Sequence, residues 1–210
     1  MCSGVLPIEG NVFKAVVWWA SPLIPFPWSY FYWDPSWSNY RLIVGSVWSA
    51  LNKMMKVWKS NLKNHFKVGF FRATVESVLL YGVECWTTTG KMRNRLDGTN
   101  TRMLRAVLGV SWKEHKTNKE LYGNLPKITD TLMIRRLRFV GHCWRKKDEV
   151  ISEQLLWEPK HGARKRGRPA TTYVDQLRND TGLSIAELKS IMGSRKEWMK
   201  LVNGVRVRSK

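Results

Sequence analysis

The sequence predicts a mainly α-helical chain, a multi-helix bundle followed by a small helical C-terminal unit, with an irregular segment ahead of both. Apolar residues recur at spacings of three and four, the period that lines one face of a helix. Ser or Thr precedes Glu by three positions at Thr117/Glu120, Ser184/Glu187 and Ser194/Glu197, where hydroxyl and carboxylate can satisfy each other's orphaned amides at a helix start. No strand-like alternation of any length occurs between residues 48 and 204.

Residues 1–40 stand apart from the rest. Within them, residues 15–33 (AVVWWASPLIPFPWSYFYW) carry no charge and are long enough to span a bilayer, but Pro22, Pro25 and Pro27 interrupt helical continuity. A membrane contact through this stretch is therefore the lesser reading. A secretory signal fits less well, because a single cation, Lys14, precedes the apolar run and no small-residue cleavage site follows it. The segment stays unassigned.

The first helix is expected from Trp48, with Leu51, Met55, Trp58 and Leu62 as its core stripe and Lys53, Lys56, Lys59 and Lys63 lying largely off it. Phe71, Val75, Val78 and Leu79 mark a second helix that stops at Gly82. Leu96, Met103, Leu104, Val107 and Leu108 mark a third, closed by Gly109, with Arg95, Arg102 and Arg105 among them. Met133, Leu137, Val140 and Trp144 form the stripe of a helix that should start with Thr129 or Asp130 as its cap and end near Lys147. Connections fall at 87–93, 109–117, 123–129 and 158–171.

Charge points to the partner. The chain has 36 Lys+Arg against 16 Asp+Glu. Residues 1–40 hold Lys14 against Glu9 and Asp34, which leaves 35 basic and 14 acidic residues, a net +21, for 41–210. Such a surplus attracts polyanions, with nucleic acid first among them, RNA or DNA. Arg135, Arg136 and Arg138, with Arg145, Lys146 and Lys147, are dense enough on one helix to neutralise successive phosphates. The loop KHGARKRGRPATT at 160–172 contains Arg164, Lys165, Arg166, Gly167, Arg168 and Pro169, and its RGRP core resembles an AT-hook, whose thin backbone follows a narrow A·T minor groove. The same loop reads equally well as a flexible basic connector.

Cys2, Cys85 and Cys143 are too few and too scattered for a disulfide framework, and an intracellular chain, nuclear or cytoplasmic and not secreted, is expected. His142 and Cys143 adjoin, but a zinc site would require the fold to gather His115, His161 or Cys85; Cys85 and Cys143 read more simply as small buried hydrophobes. Two-metal nucleotidyl transfer needs grouped carboxylates, and the sequence has no Asp-Asp pair. No enzyme activity, cofactor or small-molecule substrate is expected.

The ordered series ESVLLYGVECWT (76–87), LDGTNTRMLRAVLG (96–109), SWKEHKTNKELYGNLP (111–126), RRLRFVGHCWR (135–145), LLWEPKHGARKRGRP (155–169) and TYVDQLRNDTGLSIAELKS (172–190) resembles the C-terminal region of RTE-type and related non-LTR retrotransposon (LINE) endonuclease-reverse transcriptases. The resemblance runs from Ser46 to Val202. It implies a helical thumb-like region at 41–157 that grips template-primer backbone, the basic loop at 158–171, and a C-terminal helical unit at 172–210. It also implies that the endonuclease and the palm with its Asp-Asp motif lie outside this sequence, as in a truncated copy. Two other readings remain: a cationic adaptor held at a membrane, and a retroelement reading frame without selected function.

Overall fold

The computed structural model describes residues 37–146, 152, 155–156 and 172–208. Those residues are mainly α-helical and, among them, no strand occurs. In chain order the helices are α1 (Trp37–Lys53), α2 (Met55–Lys59), α3 (Asn64–Phe71), α4 (Ser77–Leu79), α5 (Gly90–Leu108), α6 (Asn118–Tyr122), α7 (Ile128–Arg145), α8 (Tyr173–Thr181), α9 (Ile185–Gly193) and α10 (Arg195–Arg208). A π-helical turn, Arg72–Glu76, joins α3 to α4, and single 3-10 turns occupy Val83–Cys85 and Trp112–Glu114.

Local chemistry explains most boundaries. Gly82 and Gly109 adopt φ of 65° and 66°, the left-handed conformation that ends a helix at no steric cost to glycine. Thr117/Glu120 and Ser184/Glu187 form reciprocal capping boxes, as their spacing predicts, and Ser194 accepts from the Glu197 amide at 3.4 Å. Two further boxes, Ser111/Glu114 and Thr172/Asp175, start the second 3-10 turn and α8.

Two expectations fail for tertiary reasons. The continuous helix from Trp48 to Leu62 is broken at Met54, because the Trp58 indole donates to the Leu51 carbonyl at 2.8 Å, an acceptor that an unbroken helix would offer to the Met55 amide. Val47, Leu51 and Trp58 are buried, whereas Met55 and Leu62 are turned outward at 41% and 48% exposure. Nor does Thr129 or Asp130 cap α7. The helix already begins at Ile128, and the Thr129 amide and hydroxyl both donate to the Asp97 carboxylate of α5, at 3.2 and 3.1 Å.

The core has two parts. Residues from α1 to α6, together with Ile128 and Leu132 at the start of α7, form the first. Leu137, Val140 and Cys143 from the second half of α7 pack with Leu155, Leu156, Leu177, Leu188, Met192, Trp198, Val202 and Val205 in the second. The division therefore falls inside α7, and α8–α10 have no core apart from it. Trp198, fully buried, donates its indole N–H to the Leu137 carbonyl at 2.9 Å.

Candidate nucleic-acid interface

The arginines of α7 separate into different roles. Arg136 is 0% exposed. Its Nη1 donates to Asp180 Oδ2 of α8, and its Nη2 donates to the Trp86 carbonyl at 2.9 Å. Asp180, itself buried, also accepts from Arg93 of α5 and Gln176 of α8, each at 3.0 Å. Gln176 Oε1 accepts from the Thr88 amide at 3.1 Å, and the Tyr173 hydroxyl donates to the Glu84 carbonyl at 2.8 Å. This polar joint ties the 83–89 connection, α7 and α8 together. Arg136, expected to contact phosphate, is thus a structural cation: a guanidinium enclosed by protein cannot reach a ligand, and its charge is matched internally.

Arg135 is half-buried and donates to the Leu80 carbonyl at 3.4 Å, and Arg145 donates to the Met192 carbonyl at 3.1 Å. Arg138 is exposed, with His142 and Lys146 one and two turns further along the same face. Arg164, Lys165, Arg166, Gly167, Arg168 and Pro169 lie outside the described residues, as does the apolar stretch 15–33. Among the described residues, no helix is long and apolar enough to cross a membrane.

A second cationic face lies on α5. Lys91, Arg95, Gly98, Arg102 and Ala106 are exposed at helical spacing, while Leu96, Met103, Leu104 and Val107 are buried opposite them. From Lys91 to Arg102 the stripe follows about 16 Å of helix axis. An added Cβ at Gly98 would meet nothing within 4 Å. Cation density alone hides this stripe, because only the burial of the opposite face gathers its members onto one side.

Many of the described acids have local structural roles. Glu114, Glu120, Asp175 and Glu187 accept backbone amides in capping boxes; Asp97 accepts from Thr129; Glu76 pairs with Arg72 at 3.2 Å; Asp180 is enclosed. Most described carboxylates therefore serve the fold as caps or ion-pair partners. Burial holds the Glu76 carboxyl above its ordinary range against the opposing pull of Arg72. Burial likewise pushes the Cys85 thiol up to about 12, reinforced by neighbouring Glu84. Among the described residues, no group of three or more His, Cys, Asp or Glu could hold a metal ion.

No family model matches the chain, and no solved structure matches it. A search of curated proteins finds similarity to an uncharacterized transposon-derived protein of Caenorhabditis elegans, 25% identical over 170 residues, covering 75% of this chain and 61% of that protein. The match thus spans about three fifths of the length of that curated relative. Over three quarters of its own length it is similar to a transposon-derived protein.

Proposed function

We propose that this chain is the helical, nucleic-acid-binding C-terminal region of a non-LTR retrotransposon reverse transcriptase, RTE-type by its motifs, with no polymerase or endonuclease site within these residues. One observation carries the binding reading: Lys91, Arg95 and Arg102 share one exposed face of α5 and Arg138 is exposed on α7, in a chain with 36 Lys+Arg against 16 Asp+Glu. The retroelement reading is supported by the ordered motifs from Glu76 to Ser190 and by the likeness to a transposon-derived protein. The α5 stripe and Arg138 would contact backbone phosphates, and the loop with Arg164, Lys165, Arg166, Gly167, Arg168 and Pro169 would add phosphate or minor-groove contacts.

The test compares the whole chain with Lys91→Ala/Arg95→Ala/Arg102→Ala on a DNA duplex across a salt series. Each lost phosphate contact should reduce the log–log slope by about 0.9. A fall of roughly two to three units supports the α5 face; an unchanged slope removes it from the interface. Arg166→Ala/Arg168→Ala, measured on A·T-rich and G·C-rich duplexes, tests the loop independently. Loss confined to the A·T-rich duplex means minor-groove contact, and no loss on either means that the loop is a connector.

A further inference from the structure

Beyond the break at Met54, α3 carries an exposed aromatic face. Phe66 is 59% exposed and Phe70 41%, one helical turn apart on α3, and Gly69 beside them leaves the face open, with nothing within 4 Å of an added Cβ. The Phe70 ring meets the buried Trp58 edge-on at 5.9 Å, and the His65 and Phe66 rings lie 4.0 Å apart. Lys59 and Lys63 are exposed close by in sequence, and no Asp or Glu occurs between Asp34 and Glu76.

We propose that this aromatic and lysine face of α2 and α3 binds unpaired bases of a single-stranded nucleic acid, with Phe66 and Phe70 as stacking platforms and the neighbouring lysines on the backbone. The inference deepens the proposed nucleic-acid function and rests on it. Ring faces serve a strand whose bases are free to stack outward; a duplex keeps its base faces stacked on one another and out of reach of the rings. Charge complementarity selects the occupant. Protein interface cores are depleted of lysine and favour arginine, whereas the exposed cations that precede these rings in sequence, Lys59 and Lys63, are lysines and the following Arg72 is paired with Glu76. Lys67 donates to the Trp58 carbonyl at 2.8 Å and so ties α3 to α2.

The experiment measures fluorescence anisotropy of the full chain with a labelled single-stranded oligonucleotide and with the corresponding duplex. Phe66→Ala should weaken single-strand binding about fivefold or more while leaving duplex binding within about twofold. Phe66→Trp should restore or tighten binding, and Phe66→Leu, apolar but without a ring, should bind as weakly as Phe66→Ala. Phe66 packs little against the core, so these variants keep the fold; circular dichroism checks that they do. Unchanged single-strand affinity in Phe66→Ala, equal losses on both probes, or full activity in Phe66→Leu each overturns the inference. So does loss of self-association in Phe66→Ala with nucleic-acid binding intact, which assigns the face to a second copy. If the wild-type chain binds neither probe, the proposed function itself fails; if it binds both and Phe66→Ala changes nothing, the stacking face alone does.

Discussion

Gly141→Ala should be among the most damaging single-methyl changes in this chain. The position lies inside α7, where alanine is ordinarily favoured over glycine by about 1 kcal/mol. Here an added Cβ would lie 2.1 Å from Trp198 Nε1, 2.3 Å from Cδ1 and 2.9 Å from Cε2, so the indole must move. Trp198 is fully buried and donates to the Leu137 carbonyl. Moving it costs about 1–3 kcal/mol in overpacking and about 1–3 kcal/mol more if the N–H is left unpaired. Less the gain in helix propensity, the net loss is roughly 3 kcal/mol, within about 1–5, a large share of the 5–15 kcal/mol typical of a folded domain. Urea denaturation followed by circular dichroism measures it. Gly98→Ala makes the same change in open space and should stabilise by up to about 1 kcal/mol. A Trp198→Phe change in the Gly141→Ala background should cost less than in wild type, with a coupling of about 1 kcal/mol or more. A Gly141→Ala chain as stable as Gly98→Ala, or additive with Trp198→Phe, would refute the packing described for α7 and α10.

Three further outcomes follow from buried polar groups. Asp180→Ala leaves Arg136 enclosed without its counter-ion and should cost about 3–5 kcal/mol in urea unfolding, whereas Arg136→Met with Asp180→Leu should cost less than Asp180→Ala alone. The Glu76 carboxyl is raised above its ordinary 4.5, so the folded chain holds that proton more tightly; its contribution is fully present below 4.5 and is lost as pH rises through the higher folded value. Glu76→Gln should flatten that part of the stability profile, and an unaltered profile would contradict the burial of this group. Cys85, pushed up to about 12, should react with iodoacetamide about 100-fold or more slowly in the folded chain at pH 8 than in urea, read peptide by peptide in mass spectrometry.

What the sequence reveals about the fold follows from how local each determinant is. Thr117/Glu120, Ser184/Glu187, Gly82 and Gly109 act over a few residues, so spacing alone finds them. The break at Met54 depends on an indole seven residues onward finding the Leu51 carbonyl, and the periodic stripe from Trp48 to Leu62 carries no sign of it. The start of α7 is set by Asp97, 32 residues earlier.

The candidate interface was legible only as a surplus of charge. Cation density on α7 draws attention to Arg135, Arg136 and Arg138 alike, but Arg136 is neutralised by Asp180, 44 residues away in sequence. That pairing depends on the packing of α8 against α7 and cannot be read from spacing. Arg138 is named by cation density, but that it is the exposed one of the three, and that the α5 stripe and Phe66 share its exposure, emerges only once the buried faces are known. Arginine tends to serve this fold as an internal cross-link, at Arg93, Arg105, Arg135, Arg136 and Arg145, while lysine largely meets solvent. The planar, multiply donating guanidinium suits the first task and the flexible ammonium the second.

The most direct test of the central claim is the salt dependence of nucleic-acid binding by the full chain, measured with RNA and DNA duplex from low to physiological ionic strength. Phosphate neutralisation by the α5 and α7 faces predicts a linear log–log plot with a duplex slope of about −3 or steeper. A flat plot, or no binding by a folded sample, would contradict it.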